Sequence, residues 1–458
     1  METKDQPTRQ AQIPVAVVRK LLHRGARTNL ARVFSKAYPV EVARLLSSLG
    51  TAERSQAFSI LLDECDISHA AAVLSEMAAE ESVSLLESLD PKRIALLLGE
   101  MAADDATYLT SRLPAELASK VLASMEAEPA ADVRELLEHD EKTAGRMMTR
   151  EFFALEEDVT IAEAIAALQR RSEEFEMVFY VFVVDKRDHL IGVISLRKLL
   201  TTPPSHQLKR IMVPNVISAK TTDSQEEVAR LVSEYNLLAI PVVDEADRLV
   251  GIVTVDDVLD VVQEEVAEDL LALSGVAAEE HVGTSAWRSL RLRVPWLLVN
   301  LATAALAALV IAEFETPIKE QPVLAALMPI VAGLGGNAAT QALTVIIRGI
   351  ALGEITSISR IAVKSVLVGA GNGIITGVVG AGFVSILLGN IWFGVILAAA
   401  MIINMIIGGL AATLVPLTLK KMHVDPALSS SIFVTACTDV FGFLSFLGLA
   451  TLLIRLLV

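Results

Sequence analysis

Between Lys364 and Lys420 the chain runs for 55 residues without one charged side chain. No single element of a soluble fold absorbs such a stretch, whereas a bilayer-spanning helix takes about 20 mainly apolar residues. The natural break is Gly389-Asn390-Ile391, which leaves Ser365–Leu388 and Trp392–Leu419 as two spans. Pro295–Ala312, Gln321–Ile347 and Pro426–Ile454 supply three more, so five spans are expected. Charge divides the chain at the same place. From Pro295 onward there are 7 basic and 6 acidic residues; the first 294 residues hold 32 basic and 49 acidic ones, a balance of −17. An acidic half joined to an apolar half excludes a purely soluble enzyme. Without a basic patch, it argues against nucleic acid as partner and favours cations. Two cysteines in different halves, Cys65 and Cys437, support neither a disulfide framework nor a Cys-based zinc site.

The polar N-terminus shows no cleavable signal peptide. Arg288, Arg291 and Arg293 precede the first span, Arg348, Arg360 and Lys364 follow the second, and Lys420 and Lys421 follow the fourth. The positive-inside rule then places the N-terminus in the cytosol and the C-terminus outside, in the inner (cell) membrane.

Asp439 is the only charge within the last span, and a carboxylate at mid-membrane costs ~2.5–3.5 kcal/mol on insertion scales. It reads either as a carboxyl bonded to Thr435 and Thr438 or as a carboxylate facing a wet, cation-bearing pathway. In the second span, Pro329 and the run Gly333-Leu334-Gly335-Gly336-Asn337 weaken a helix. They are expected either to break the backbone, turning carbonyls and the Asn337 amide toward an ion, or to pack helices closely. Asn300, Asn372 and Asn404 are pathway candidates that also suit interhelical hydrogen bonding. No buried Ser/His or Cys/His pair suggests catalysis, so no enzyme is expected.

The soluble half contains a repeat. Val183-Val184-Asp185 and Gly192 return as Val242-Val243-Asp244 and Gly251, each 59 residues on. Each unit reads helix, strand, turn, strand, helix, and the pair resembles tandem CBS domains. In that family a Thr/Ser-x-x-Asp step holds the ribose of an adenine nucleotide; Thr254–Asp257 fits it and Ser195–Lys198 does not. Upstream, segments ending at Met77, Met101 and Met125 recur every 24 residues, which indicates stacked helix pairs with core methionines. Downstream, residues 256–269 carry seven acids and no base. Asp257, Asp260 and Glu264 share one helical face, as do Glu265, Glu268 and Asp269. Such a run is either a solvated face or a site where a hard, oxygen-seeking cation relieves the repulsion.

Taken in order, these parts resemble the bacterial MgtE family of magnesium channels. The most specific segments are Pro329–Asn337, Val424-Asp425-Pro426-Ala427 and Thr438-Asp439-Val440-Phe441-Gly442. The resemblance implies a multidomain membrane protein. It would comprise an N-terminal tail (1–30), an all-α superhelical N-domain (31–138), an α/β tandem CBS pair (139–203 and 204–263), an acidic connecting (plug) helix (264–288) and a five-helix transmembrane domain (289–458). It further implies a homodimer in which Asp439 of each subunit holds hydrated Mg²⁺, with Gly333, Asn337 and Asp425 in the pore and pore-mouth motifs. Regulatory Mg²⁺ would bind Asp104, Gly145, Glu226, Asp257, Asp260, Glu265, Glu268 and Asp269, with ATP or another adenine nucleotide as a further regulator at Thr254 and Asp257. Ala72, Tyr108, Ser224 and Asn236 stand where relatives can carry acids. The rival readings are a CBS-regulated proton- or sodium-coupled carrier and a nucleotide-sensing membrane scaffold.

Overall fold

The structure, a computed structural model, describes residues 14–171, 178–277, 280, 282–351, 354–355, 357–422 and 430–453. The chain forms two compact units, Met1–Val262 and Gln263–Val458.

The first unit opens with short helices whose apolar faces interlock into one core. Leu74, Leu97, Leu98 and Val121, from the 24-residue period, are all buried there, with Met77 buried and Met101 and Met125 packed against it. Helices Pro39–Ser47, Ile67–Ser75, Pro91–Gly99 and Ala115–Ser124 stack in succession, and Pro91 sits at a first helical position, where its missing N–H costs nothing. The expected tail is shorter than residues 1–30. Helices Val15–His23 and Arg27–Phe34 bury Val18, Leu22 and Leu30 in the same core, and Arg27 pairs with Asp63 and Glu64.

The repeat forms two three-stranded sheets. In the first, β1 (Ala154–Glu156) is parallel and β3 (Leu190–Ser195) antiparallel to the central β2 (Tyr180–Val184). In the second, β4 (Ala219–Lys220) and β6 (Leu249–Thr254) flank β5 (Ala239–Val243) in the same way. The aspartates of the repeat build equivalent turns. Asp185 Oδ1 accepts from the Arg187 and His189 amides, and Asp244 Oδ1 from the Ala246 and Arg248 amides. Packing crosses the boundary between the two repeats. Thr149 exchanges both backbone hydrogen bonds with Ile252 of β6, and Val213 does so with Val193 of β3. Ala144 and Met148 lie in the core of the second sheet, while Leu208 and Met212 lie in that of the first. Each repeat completes the other's core.

In the second unit five helices are long and apolar enough to cross a membrane: Ala286–Glu313, Val323–Ile350, Ile358–Leu388, Ile391–Lys421 and Ser431–Leu452, here spans 1 to 5. Span 4 is the hub and packs against spans 2, 3 and 5. Span 3 lies on it through Gly369, Gly373 and Gly377, a small-residue face that lets backbones approach; a Cβ at Gly373 would stand 2.6 Å from Ile402 Cα. The break between spans 3 and 4 falls where expected. Gly389 adopts φ +68°, and Asn390 caps span 4 by accepting from the Trp392 amide at 2.9 Å.

Two expectations are corrected. Span 2 is not broken: the helix containing it runs from Val323 to Ala351 through Pro329 and the glycines. Apart from the bond that Pro329 cannot donate, a continuous helix keeps backbone groups paired within the segment, the favoured state wherever water is scarce. The connecting helix is also displaced. The acidic helix runs from Val255 to Leu273, not 264–288, and ends before Gly275, whose φ is +69°. The helix of span 1 then begins at Ala286.

Candidate functional sites: an acidic cluster and a membrane carboxylate

In the first unit, Asp104 and Asp105 open the helix Ala103–Arg112 and face the start of the acidic helix. Val258 and Val261 anchor that helix start in the core beneath β5 and β6. Asp104 is half-buried and lies beside Asp257 and Asp105; burial first, then these negative neighbours, push its carboxyl well above the ordinary carboxylate range. Its Oδ1 is buried and, among the described residues, has no hydrogen-bond partner. Burial likewise raises Asp257 to about 6, with Asp256 and Asp105 adding to the rise and the hydrogen bond from Thr254 Oγ1 (2.5 Å) opposing it. Asp105 and Asp260 are raised by burial too, with Asp260 acting on Asp105 and Asp256 on both.

Like charges brought together without a compensating base make an anionic cluster that a cation would relieve. The orphaned Asp104 oxygen and the all-oxygen donor set suit Mg²⁺, which takes one or two carboxylates and keeps several waters. No closed cage exists: among the described residues no three His, Cys, Asp or Glu groups are arranged to hold a metal ion.

Gly145 lies in the short helix Ala144–Met147, which packs against the helix carrying Asp104. A side chain there would collide with His139 at 2.7 Å and the Thr221 carbonyl at 2.9 Å. Glu226 is exposed in the first turn of Gln225–Tyr235. Glu265, Glu268 and Asp269 belong to the second unit, half-buried on the later turns of the acidic helix. There Ala272 and Leu273 pack against Leu343, Ala412 and Val434 of spans 2, 4 and 5.

Three of the positions lacking acids have structural uses. The Arg112 guanidinium stacks 3.6 Å above the Tyr108 ring, Ser224 caps the helix Gln225–Tyr235, and Asn236 ends it at φ +52°. Ala72 sits in the stacked core helix Ile67–Ser75. Thr254 also lines a cleft with Phe152, Phe153, Phe179, Tyr180 and Phe182, which holds only about 10 Å³. That is room for one water, so an adenine ring requires the cleft to open.

In the second unit Asp439 is half-buried on span 5. Neighbouring hydroxyls do not serve it: Thr438 is buried and donates to the Thr435 carbonyl at 2.9 Å. Gly333 and Asn337, one turn apart on span 2, are exposed and share a face, whereas Gly335 and Ala339 point into the bundle. A Cβ at Gly336 would lie 4.0 Å from Thr438 Oγ1, so the glycine run and Asp439 stand at one level. Asp425 lies outside the described residues. Asn300 is exposed, and Asn372 lines a cavity of about 480 Å³ between spans 2, 3 and 4 whose lining excludes Asp439. Asn404 is fully buried between spans 2 and 5.

Comparison with known proteins bears on most of the chain. Residues 328–449 match the family model described as a divalent cation transporter, residues 37–142 the MgtE intracellular N domain, and residues 144–204 and 208–264 the CBS domain. The magnesium transporter MgtE of Enterococcus faecalis is 34% identical over 330 residues, 72% of this chain and 73% of that protein. Those of Bacillus subtilis (35%, covering 70% and 72%) and Thermus thermophilus (34%, covering 71% and 73%) are similarly close. Among solved structures, the cytosolic domain of the Mg²⁺ channel MgtE in complex with ATP superposes with a TM-score of 0.51 at 34% identity, covering 54% of this chain and 100% of that one. The soluble part of a magnesium transporter gives 0.50 at 31% identity, covering 55% and 98%. With its N-domain, CBS pair and transporter segment matched in order, and with relatives 34–35% identical over about 70% of its length, the chain belongs to the MgtE family.

Proposed function

We propose that this multi-pass membrane protein conducts Mg²⁺ through the membrane and that cytosolic Mg²⁺ closes the pathway. The observation that carries the reading is Asp439: a carboxylate within an apolar span, on a helix level with an exposed Gly333/Asn337 face. Relatives bearing the name magnesium transporter support the choice of ion. The chain works as a homodimer, which brings two Asp439 carboxylates across a two-fold axis. Mg²⁺ dehydrates reluctantly, so such a pair holds the ion with its waters, weakly enough to let it leave. Asn337 and Gly333 line the route and Asp425 stands at its mouth. The N-terminus is cytosolic and the C-terminus external, a placement the Arg and Lys clusters support.

The acidic helix is the regulatory element. When Mg²⁺ is scarce, Asp104 and Asp105 repel Asp256, Asp257 and Asp260, which favours separation and an open pathway. Mg²⁺ bound at Asp104, Asp257 and Asp260, near Gly145 and Glu226, and at Glu265, Glu268 and Asp269 favours the compact, closed state. Adenine nucleotide binds at Thr254 and Asp257; the ATP named with the solved cytosolic domain supports this assignment. The test is recording from inside-out patches. Unitary Mg²⁺ currents whose open probability falls as bath Mg²⁺ rises are expected; Mg²⁺ flux without unitary currents, coupled to a proton or sodium gradient, would point to a carrier.

A further inference from the structure

Asn404, on span 4, is fully buried, and its amide is only half satisfied. Nδ2 donates to the Val331 carbonyl of span 2 at 3.0 Å, while Oδ1 is buried with no partner among the described residues. Exchanging the two amide atoms would set Oδ1 against the Val331 carbonyl, so the surroundings fix which atom is left over. An unpaired buried acceptor is destabilising, and an aliphatic side chain of similar size would avoid that cost. The amide therefore serves something other than stability.

Its neighbours indicate what. On one side lies Gly335 of span 2, where a Cβ would stand 2.1 Å from Asn404 Nδ2. On the other lies Gly442 of span 5, where a Cβ would stand 2.6 Å from the same atom. One turn along span 4, a Cβ at Gly408 would meet Thr438 Cγ2 and Ala339 Cβ, both at 3.1 Å. Spans 2 and 5 thus close on span 4 with a single amide wedged between two glycines. Asp439 is the residue after Thr438 and lies three before Gly442, within one helical turn of both contacts.

We propose that Asn404 is a positioning residue for Mg²⁺ passage. Its amide is the spacer that sets the separation of spans 2 and 5, and its bond to Val331 fixes the height of span 2. Together these determine where Asp439 stands relative to the face bearing Gly333 and Asn337. The inference rests on Asp439 being the pathway carboxylate, and the experiment separates the two claims.

The test is a size exchange in the full-length protein, reconstituted in liposomes at matched density. Mg²⁺ uptake is read as half-saturating concentration and maximal rate separately, with Ca²⁺ as competitor. Gly442→Ala should lower the maximal rate on the order of tenfold or more, the scale of a sub-ångström to 1 Å misplacement at a working site. Removing the obstructing amide in Asn404→Ala/Gly442→Ala should restore most of that rate. Asn404→Ala alone, which leaves space but loses the Val331 bond, should shift half-saturation and weaken the preference for Mg²⁺ over Ca²⁺. Should Gly442→Ala not accumulate as folded protein, Asn404→Ala carries the test. Wild-type half-saturation and Ca²⁺ competition in Asn404→Ala, or a double variant no better than Gly442→Ala, would overturn the positioning role. Asp439→Asn is run alongside: wild-type uptake there rejects the pathway reading instead.

Discussion

Replacing Asp257 by Asn should stabilise the protein when Mg²⁺ is absent, although it removes a charge from a site proposed to bind metal. The sign follows from burial and like charge. The carboxyl rises from its ordinary 3.8 to about 6 in the folded chain. Between those values the native state holds a proton that the unfolded chain has released, so stability falls as pH rises through this window and stays low above it. At about 1.4 kcal/mol per pH unit, the full cost above pH 6 is about 3 kcal/mol. Solvent screening of a half-buried carboxyl reduces this to roughly 1–2 kcal/mol. The amide oxygen of the variant can still accept from Thr254 Oγ1, so that bond need not be lost. For a unit of this size the gain corresponds to roughly 2–6 °C in thermal midpoint. The assay is thermal unfolding of the full chain in detergent with a chelator, at pH 8 and pH 4.5. The variant should be more stable at pH 8, and its advantage should shrink at pH 4.5, where the folded wild type keeps its proton while the unfolded chain is still largely ionised. Saturating Mg²⁺ should then stabilise the wild type more than the variant, because only binding to the native state contributes. A variant less stable than wild type at pH 8 without Mg²⁺ would refute the argument that these carboxylates repel.

Two further outcomes concern regulation. Asp257→Ala, Glu265→Ala and Asp269→Ala combined should leave channels that stay open at high cytosolic Mg²⁺ in inside-out patches; since a 1:99 to 99:1 shift needs roughly 5.5 kcal/mol, several ions must act together, and an unchanged closing curve contradicts the gating scheme. Titration calorimetry of the full chain with ATP should give one site per subunit that weakens in Thr254→Ala; because the cleft holds only about 10 Å³, association should be slow relative to diffusion, and binding unaffected by Thr254→Ala would move the nucleotide elsewhere.

Much of the fold was legible because its signals are local. Asp185 and Asp244 close their own turns two and four residues on, and Gly389-Asn390 ends one helix and caps the next within three residues. The 24-residue period marked the stacked N-domain for the same reason. What could not be read were contacts set by distant chain. Nothing near Thr149 shows that it pairs with Ile252 rather than within its own repeat. Pro329 and the glycines look like a break in isolation; the continuous helix reflects an environment in which unpaired backbone is costly. Helices Val15–His23 and Arg27–Phe34 are too short to announce themselves and owe their place to tertiary burial of Val18 and Leu30. The acidic run was visible, but only the family resemblance, not local pattern, joined Asp104, about 150 residues earlier, to it, and Asp105 was missed. A pair of acids opening a helix, read locally, marks a favourable helix dipole and nothing more.

The central claim is that Asp439 provides the charge that draws Mg²⁺ through the membrane. Mg²⁺ uptake into liposomes containing wild-type, Asp439→Glu, Asp439→Asn or Asp439→Ala protein, at equal reconstituted density, tests it most directly. Retention of a carboxylate in Asp439→Glu should preserve a measurable part of the flux, while Asp439→Asn and Asp439→Ala should reduce it to near the empty-vesicle rate with the protein still folded. Wild-type uptake by Asp439→Ala would contradict the account at its base.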